Sequence, residues 1–180
     1  MRTSKLEGIV IKRSNFGEAD RLLTVFTRRM GKIQVKAIGV RRIYSRRSSH
    51  TELLNHVIIN LYQGRGMPIL TEIESVGDFS FIKNNFEKIG VAYHICELID
   101  KLCAYNQENS EVFSLLKDTL NRFSEGDIRA VVHSFEISLL TTLGFYTPDK
   151  HVKYFDTGQF IENIIERKLN TRQIFPLFLN

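Results

Sequence analysis

The sequence predicts an α+β protein: a small five-stranded β-barrel over residues 1–79, then an α-helical bundle over residues 80–180. Three observations predict it. Short apolar segments with the two-residue period of strands fill the first region, and stripes with a period near 3.6 residues fill the second. Glycine-bearing turns separate the early segments. The charge divides as well: residues 1–50 carry thirteen Lys and Arg against three acids, the remaining 130 carry twelve against seventeen.

The elements follow in order. Leu6–Arg13 is rich in β-branched residues, and the loop Asn15–Asp20 follows it. Arg21–Arg29 sets Leu22, Thr24, Phe26 and Arg28 on one face and Leu23, Val25 and Thr27 on the other. Gly31 stands where a tight turn needs positive φ. From Lys32 the alternation is clean, with Ile33, Val35 and Ala37 inward and Gln34 and Lys36 outward. Leu54–Gln63 and Met67–Val76, joined through Gly64-Arg65-Gly66, form a hairpin. Five short strands so connected predict an OB-fold, the five-stranded Greek-key barrel.

Near Phe79 the period turns helical. Ile82, Phe86, Ile89, Tyr93 and Cys96 make one stripe of a helix over Phe81–Tyr105, and Val91, Ile95, Leu98 and Leu102 make a second. Val112–Phe123 is the next helix, closed near Gly126. Asp127 caps a third, with stripe Ile128, Val131, Phe135, Leu139 and Thr142, ended by Gly144 and Pro148. A last helix runs from about Gly158 to Leu169.

Composition excludes several classes. With 43% hydrophobic and 25% charged residues the chain is globular rather than disordered. No signal peptide and no apolar run of membrane-spanning length is expected, so no membrane partner is. Cys96 and Cys103, seven apart on one helix, lie about 10 Å apart, too far for a disulfide; a reducing cytoplasm is the expected location.

The basic half points to a polyanion. Its cations gather at Lys12 and Arg13, at Arg28, Arg29 and Lys32 around the first hairpin, and at Arg41, Arg42, Arg46 and Arg47 in a loop without an acid, with Arg65 on the last hairpin. Cations for phosphates and rings for bases are what such barrels use on nucleic acid strands. Phe16, Phe26, Tyr44 and Tyr62 are the candidate rings, Tyr44 foremost because it stands inside the arginine loop, which is expected to be a flexible arm.

Residues 8–48 and 61–74 closely resemble the bacterial recombination mediator RecO family. The shared elements are Glu18-x-Asp20-Arg21-Leu22-Leu23, Phe26-Thr27, Gly31-Lys32-Ile33, Gly39-x-Arg41-Arg42, Ser45-Arg46, Leu61-Tyr62-x-Gly64-Arg65-Gly66 and Leu70-Thr71-Glu72. The helical half matches in outline. The resemblance implies binding of single- and double-stranded DNA, annealing of complementary strands, contact with the tail of single-stranded DNA-binding protein, and loading of RecA recombinase together with RecR. It implies a cytoplasmic, nucleoid-associated protein. In one respect the sequence departs from the family: many members carry four cysteines as a zinc module after the third helix, and Tyr146–Asn180 has none. Structural zinc takes about four Cys or His ligands, so no metal and no cofactor is expected.

Three alternatives stand beside this reading, one of them a protein-interaction module whose basic loop docks an acidic peptide. An RNA-binding adaptor would use the same clamps and rings, since only 2′-hydroxyl contacts separate the polymers. A metal-dependent nuclease would gather Glu18 and Asp20 with Glu72 and Glu74 around Mg²⁺. Against the nuclease, turn carboxylates ordinarily bond backbone N–H groups, the histidines lack ligand spacing, and no P-loop or dinucleotide fingerprint occurs. The expectation is a protein that is not an enzyme.

Overall fold

The computed structural model describes residues 2–123, 127–147 and 156–174; Gly126 and Pro148, named above, lie outside them. Its first strand is longer than the β-branched run alone indicates. β1 spans Arg2–Phe16, followed by β2 at Asp20–Thr27, β3 at Gly31–Ala37, β4 at His56–Gln63 and β5 at Ile69–Gly77. β1 serves two neighbours. Its first half pairs antiparallel with β4, from Arg2 opposite Gln63 to Ile9 opposite His56. Its second half pairs with β2, from Gly8 opposite Thr27 to Phe16 opposite Asp20. A bulge between Val10 and Lys12 bends the strand. Gly8 belongs to both ladders, and a Cβ there would stand 2.5 Å from the Val25 side chain.

β2 pairs with β3 and β4 with β5, both antiparallel, and β3 meets β5 in parallel at Lys36 and Ile69. The result is a closed barrel in the order β1-β2-β3-β5-β4, the OB topology that the sequence predicts. Leu6, Val10, Val25, Val35, Ile59 and Leu70 are among the residues filling its core.

β2 is buried on both faces, because Thr24 and Phe26 are covered as fully as Leu23 and Val25. A later piece of chain joins the barrel. Cys103–Phe113 belongs with residues 1–79 in one compact unit, and residues 80–102 and 114–180 form the other; the sequence pattern instead predicts everything after residue 79 as the helical domain. Tyr105 bridges to Lys32, the Asn106 N–H donates to the Lys32 carbonyl at 2.8 Å, and the Phe113 ring lies 6.5 Å from that of His56. The segment thus occupies the end of β3 that β5 does not reach. Gly31, at φ 62°, admits this approach: a Cβ would fall 1.7 Å from the Gln107 carbonyl oxygen.

The described helices are α1 (Ser80–Lys83), α2 (Phe86–Leu102), α3 (Ser110–Arg122), α4 (Ile128–Thr142), α5 (Thr157–Ile165) and α6 (Asn170–Ile174). The predicted long helix breaks before Phe86, where the Asn85 side chain accepts the Lys88 N–H and starts a new one. Asn109, Asp127 and Asp156 cap α3, α4 and α5 in the same manner. Glu166, at φ 54°, ends α5 four residues before the predicted stop. Among the described residues no helix is long and apolar enough to cross a membrane.

A buried polar chain ties four of these helices. His94 on α2 bonds Thr171 on α6 through Nδ1 at 2.8 Å and Glu136 on α4 through Nε2 at 2.9 Å. Thr157 at the start of α5 donates to the other Glu136 oxygen. Glu97 on α2 accepts the Thr171 N–H and hydroxyl and both the backbone and side-chain N–H of Asn170. Burial alone would raise the Glu97 carboxyl; the Thr171 and Asn170 hydrogen bonds and nearby His94 outweigh it and hold the carboxyl below its ordinary value.

Gly31→Ala should cost on the order of 2–4 kcal/mol in urea unfolding, since backbone strain and a carbonyl clash add. Gly17→Ala, at a similar φ of 59° but with open space around it, should cost about 1–2 kcal/mol; equal losses would contradict the close approach to Gln107. A depressed carboxyl stabilises the fold above its unfolded value, near 4.5, and that contribution disappears as pH falls through the folded value. Glu97→Gln should therefore flatten the acid limb of a thermal-melting profile below about pH 4.5, with wild type and variant converging at the acid end.

Candidate nucleic-acid interface

The barrel's register sorts its loops into two poles. At one, Phe16 faces Asp20, Arg21 faces Ala37, Lys36 faces Ile69 and Ile69 faces Tyr62. The turn 17–19, the start of the long loop after β3 and the turn 64–68 all leave from this pole. At the other, Thr27 faces both Gly31 and Gly8, and His56 faces Gly77, so the turn 28–30 lies there.

Asp20 organises the first pole. Its carboxylate accepts the Gly39 N–H at 2.9 Å and pairs with the Lys36 ammonium at 3.0 Å. The Gly39 hydrogen bond, then Lys36 and the charge of Arg42, hold this carboxyl below its ordinary value. Arg41 ties the same two loops together, its backbone N–H to the Ala19 carbonyl at 2.9 Å and its guanidinium to that of Gly17 at 3.2 Å. Lys36 also stands 4.8 Å from the centre of the half-exposed Phe16 ring.

The arginine loop is not an extended arm. Turns close every three residues: Arg42 N–H to Gly39 O, Ser45 to Arg42, Ser48 to Ser45 and Thr51 to Ser48. Arg47 fastens it to the sheet, donating to the carbonyls of Ile38 at 2.8 Å and of Leu70 and Thr71 at 3.2 Å. The expected flexible arm is therefore corrected to a folded loop, and Arg47 to its anchor. Arg41, Arg42 and Arg46 remain exposed on it, together with Ile43 at 98% and Tyr44 at 85% exposure. Arg65 is exposed on the turn 64–68.

The other predicted residues disperse. Lys12 and Arg13 are exposed on β1, where Arg13 and Arg21 share Glu52 at 2.9 Å each. Arg28 and Arg29 belong to the second pole and, with Lys5, Leu6, Glu7 and Ile58, line a cleft of about 250 Å³; Arg28 reaches Glu7 at 3.7 Å. Two candidates are lost to burial. Lys32 is 3% exposed, its ammonium 4.3 Å from the centre of the Tyr105 ring, and Phe26 is fully covered. Tyr62 is half-buried. Sequence reasoning misses Ile43, although an apolar side chain amid arginines is itself a signal. It points Lys36 outward but does not assign it to a site, because nothing in the sequence places it over Phe16.

The nuclease arrangement does not assemble. β3 lies between the strands of Asp20 and of Glu72 and Glu74, and among the described residues no three His, Cys, Asp or Glu gather as metal ligands.

The family description for the N-terminal region of recombination protein O matches residues 1–79, and that for its C-terminal region matches residues 83–149. The chain belongs to the RecO family. It is 37% identical over 145 residues to the DNA repair protein RecO of Roseiflexus sp. (strain RS-1), covering 80% of this chain and 51% of that one. The DNA repair proteins RecO of Symbiobacterium thermophilum and Acetivibrio thermocellus are 33% and 34% identical over 147 residues, covering 81% of this chain and 58% and 59% of theirs. The chain thus spans a little over half the length of these relatives.

Arg47→Ala removes three carbonyl contacts without touching the exposed arginines. Amide hydrogen exchange across Ile38–Ser48 should speed up by at least about tenfold, equivalent to 1.4 kcal/mol of local stability, while β1 and β2 keep their protection. Unchanged exchange in the loop would show that the turns hold without the anchor.

Proposed function

We propose that this chain acts in DNA repair and recombination by binding DNA at the pole organised around Asp20. The observation that carries the reading is the folded loop itself: it holds Arg41, Arg42 and Arg46 exposed beside Tyr44, while Asp20, on which the charge of Arg42 acts, is already engaged by Gly39 and Lys36. Guanidinium groups suit phosphate oxygens, and cations with an exposed ring are the elements of a strand-binding groove. Single-stranded DNA is the first ligand, with duplex binding through the same sequence-independent contacts. Arg29 and Lys5 at the opposite pole offer a second basic surface, which would let one barrel hold two strands and anneal them.

The helical unit supports the proposed contact with the tail of single-stranded DNA-binding protein. Leu102, Phe145, Ile164 and Ile165 line a cleft of about 320 Å³ whose rim carries Lys101 and Arg167 as well as Asp100. An acidic tail ending in apolar residues would place its side chains inside and its carboxylates on the two cations. RecR, and through it RecA, enter the proposal by family membership, as does a cytoplasmic, nucleoid-associated location.

Binding of a fluorescent single-stranded oligonucleotide, followed by anisotropy across a salt series, tests the reading. The wild type should bind with a steep negative dependence of log affinity on log salt. Replacing Arg41, Arg42 and Arg46 together by alanine should reduce that slope by about 2, at roughly 0.7 per lost single-strand phosphate contact, and weaken all sequences alike. An unchanged slope would assign the loop to a partner other than DNA.

A further inference from the structure

We propose that Ile43 is a wedge that enters between adjacent bases of the bound strand, with Tyr44 stacking on one of the bases it separates; the inference rests on the DNA-binding reading of the same loop. Ile43 and Tyr44 are the two central residues of the turn closed by the Ser45 N–H and the Arg42 carbonyl at 2.9 Å. Those positions ordinarily hold Pro, Asp, Asn, Ser or Gly, which set or tolerate the turn's backbone angles. Isoleucine and tyrosine contribute nothing of that kind, and at 98% and 85% exposure they contribute nothing to the core.

Their surroundings select the occupant. Arg41 and Arg42 precede the pair and Arg46 follows it, all exposed, so cations bracket two apolar side chains at the tip of one turn. On a strand held through phosphates on either side, what faces that tip is a base step. Tyrosine has a ring to lay on a base, whereas isoleucine has none and can only push neighbouring bases apart, as aliphatic wedges do in proteins that distort nucleic acid. The loop is already folded, through its turns and the Arg47 anchor, so little ordering is required when the wedge enters. Two side chains offer too little apolar surface to hold a lipid bilayer.

The test uses the full chain and a single-stranded adenine tract carrying one 2-aminopurine, a base whose fluorescence is quenched by stacking. Binding is followed by anisotropy in the same tube. The wild type should brighten the probe on binding. Ile43→Ala should bind nearly as well without brightening it, Ile43→Leu should brighten it, and Tyr44→Ala should weaken binding about tenfold. Wild-type binding without brightening, or an Ile43→Ala complex as bright as the wild type, would overturn the wedge and leave the DNA-binding reading intact. No anisotropy change at low salt would overturn both. Binding to phosphatidylglycerol vesicles that depends on Ile43, with no brightening on DNA, would assign the pair to a lipid surface and sink the wedge.

Discussion

The barrel depends on one strand that pairs with two partners. β1 can border β4 and then β2 only if it bends where the ladders overlap, at Gly8 and Ile9, each of which faces a residue on both neighbours. Gly8 gives the bend its closeness, since the Val25 side chain occupies the place of a Cβ. The bulge after Val10 gives it direction, re-aiming the strand so that Phe16 reaches Asp20. From there the closure of the barrel sets which loops share a pole. The turn after β1, the loop after β3 and the β4–β5 turn converge because the register brings Phe16, Lys36 and Ile69 into successive rungs.

That convergence gives the basic sequence its shape. A loop dense in arginine repels itself, and its folding requires some charges to be committed to structure. Arg47 is bound to three carbonyls and Arg41 in part to Gly17, while Asp20 neutralises Lys36 and fixes Gly39. These contacts hold the loop in place before any ligand arrives. The remaining cations then act from fixed positions, which raises the field at the pole without the entropy cost of ordering an arm.

In the helical unit the corresponding constraint is a count of protons. The Thr171 hydroxyl donates its single hydrogen to Glu97 at 2.6 Å, so His94 Nδ1 must donate to Thr171. Thr157 gives its hydrogen to one Glu136 oxygen, and the other meets His94 Nε2 at 2.9 Å. His94 and Glu136 therefore share one proton, as an ion pair or as a neutral pair, and neither can lose its partner without stranding a buried polar atom. This explains how α6, five residues long and too short to stand on its own packing, docks against α2.

How much of this the sequence discloses depends on the range over which each feature is determined. Strand periods, the Gly31 turn and the Asp127 cap are local, and they are read correctly. The arginine cluster is also local, and it is real. What the sequence conceals is which cations stay exposed, because that is decided by residues far along the chain. Lys32 reads as a hairpin cation until Tyr105, seventy-three positions later, covers it. Phe26 reads as a candidate ring for bases, yet the fold buries it completely. Arg47 is indistinguishable from Arg46 in sequence, yet one meets the carbonyls of β5 and the other meets solvent. Net charge therefore identifies the kind of partner, while the surface offered to that partner is set by the tertiary contacts that withdraw particular side chains from it.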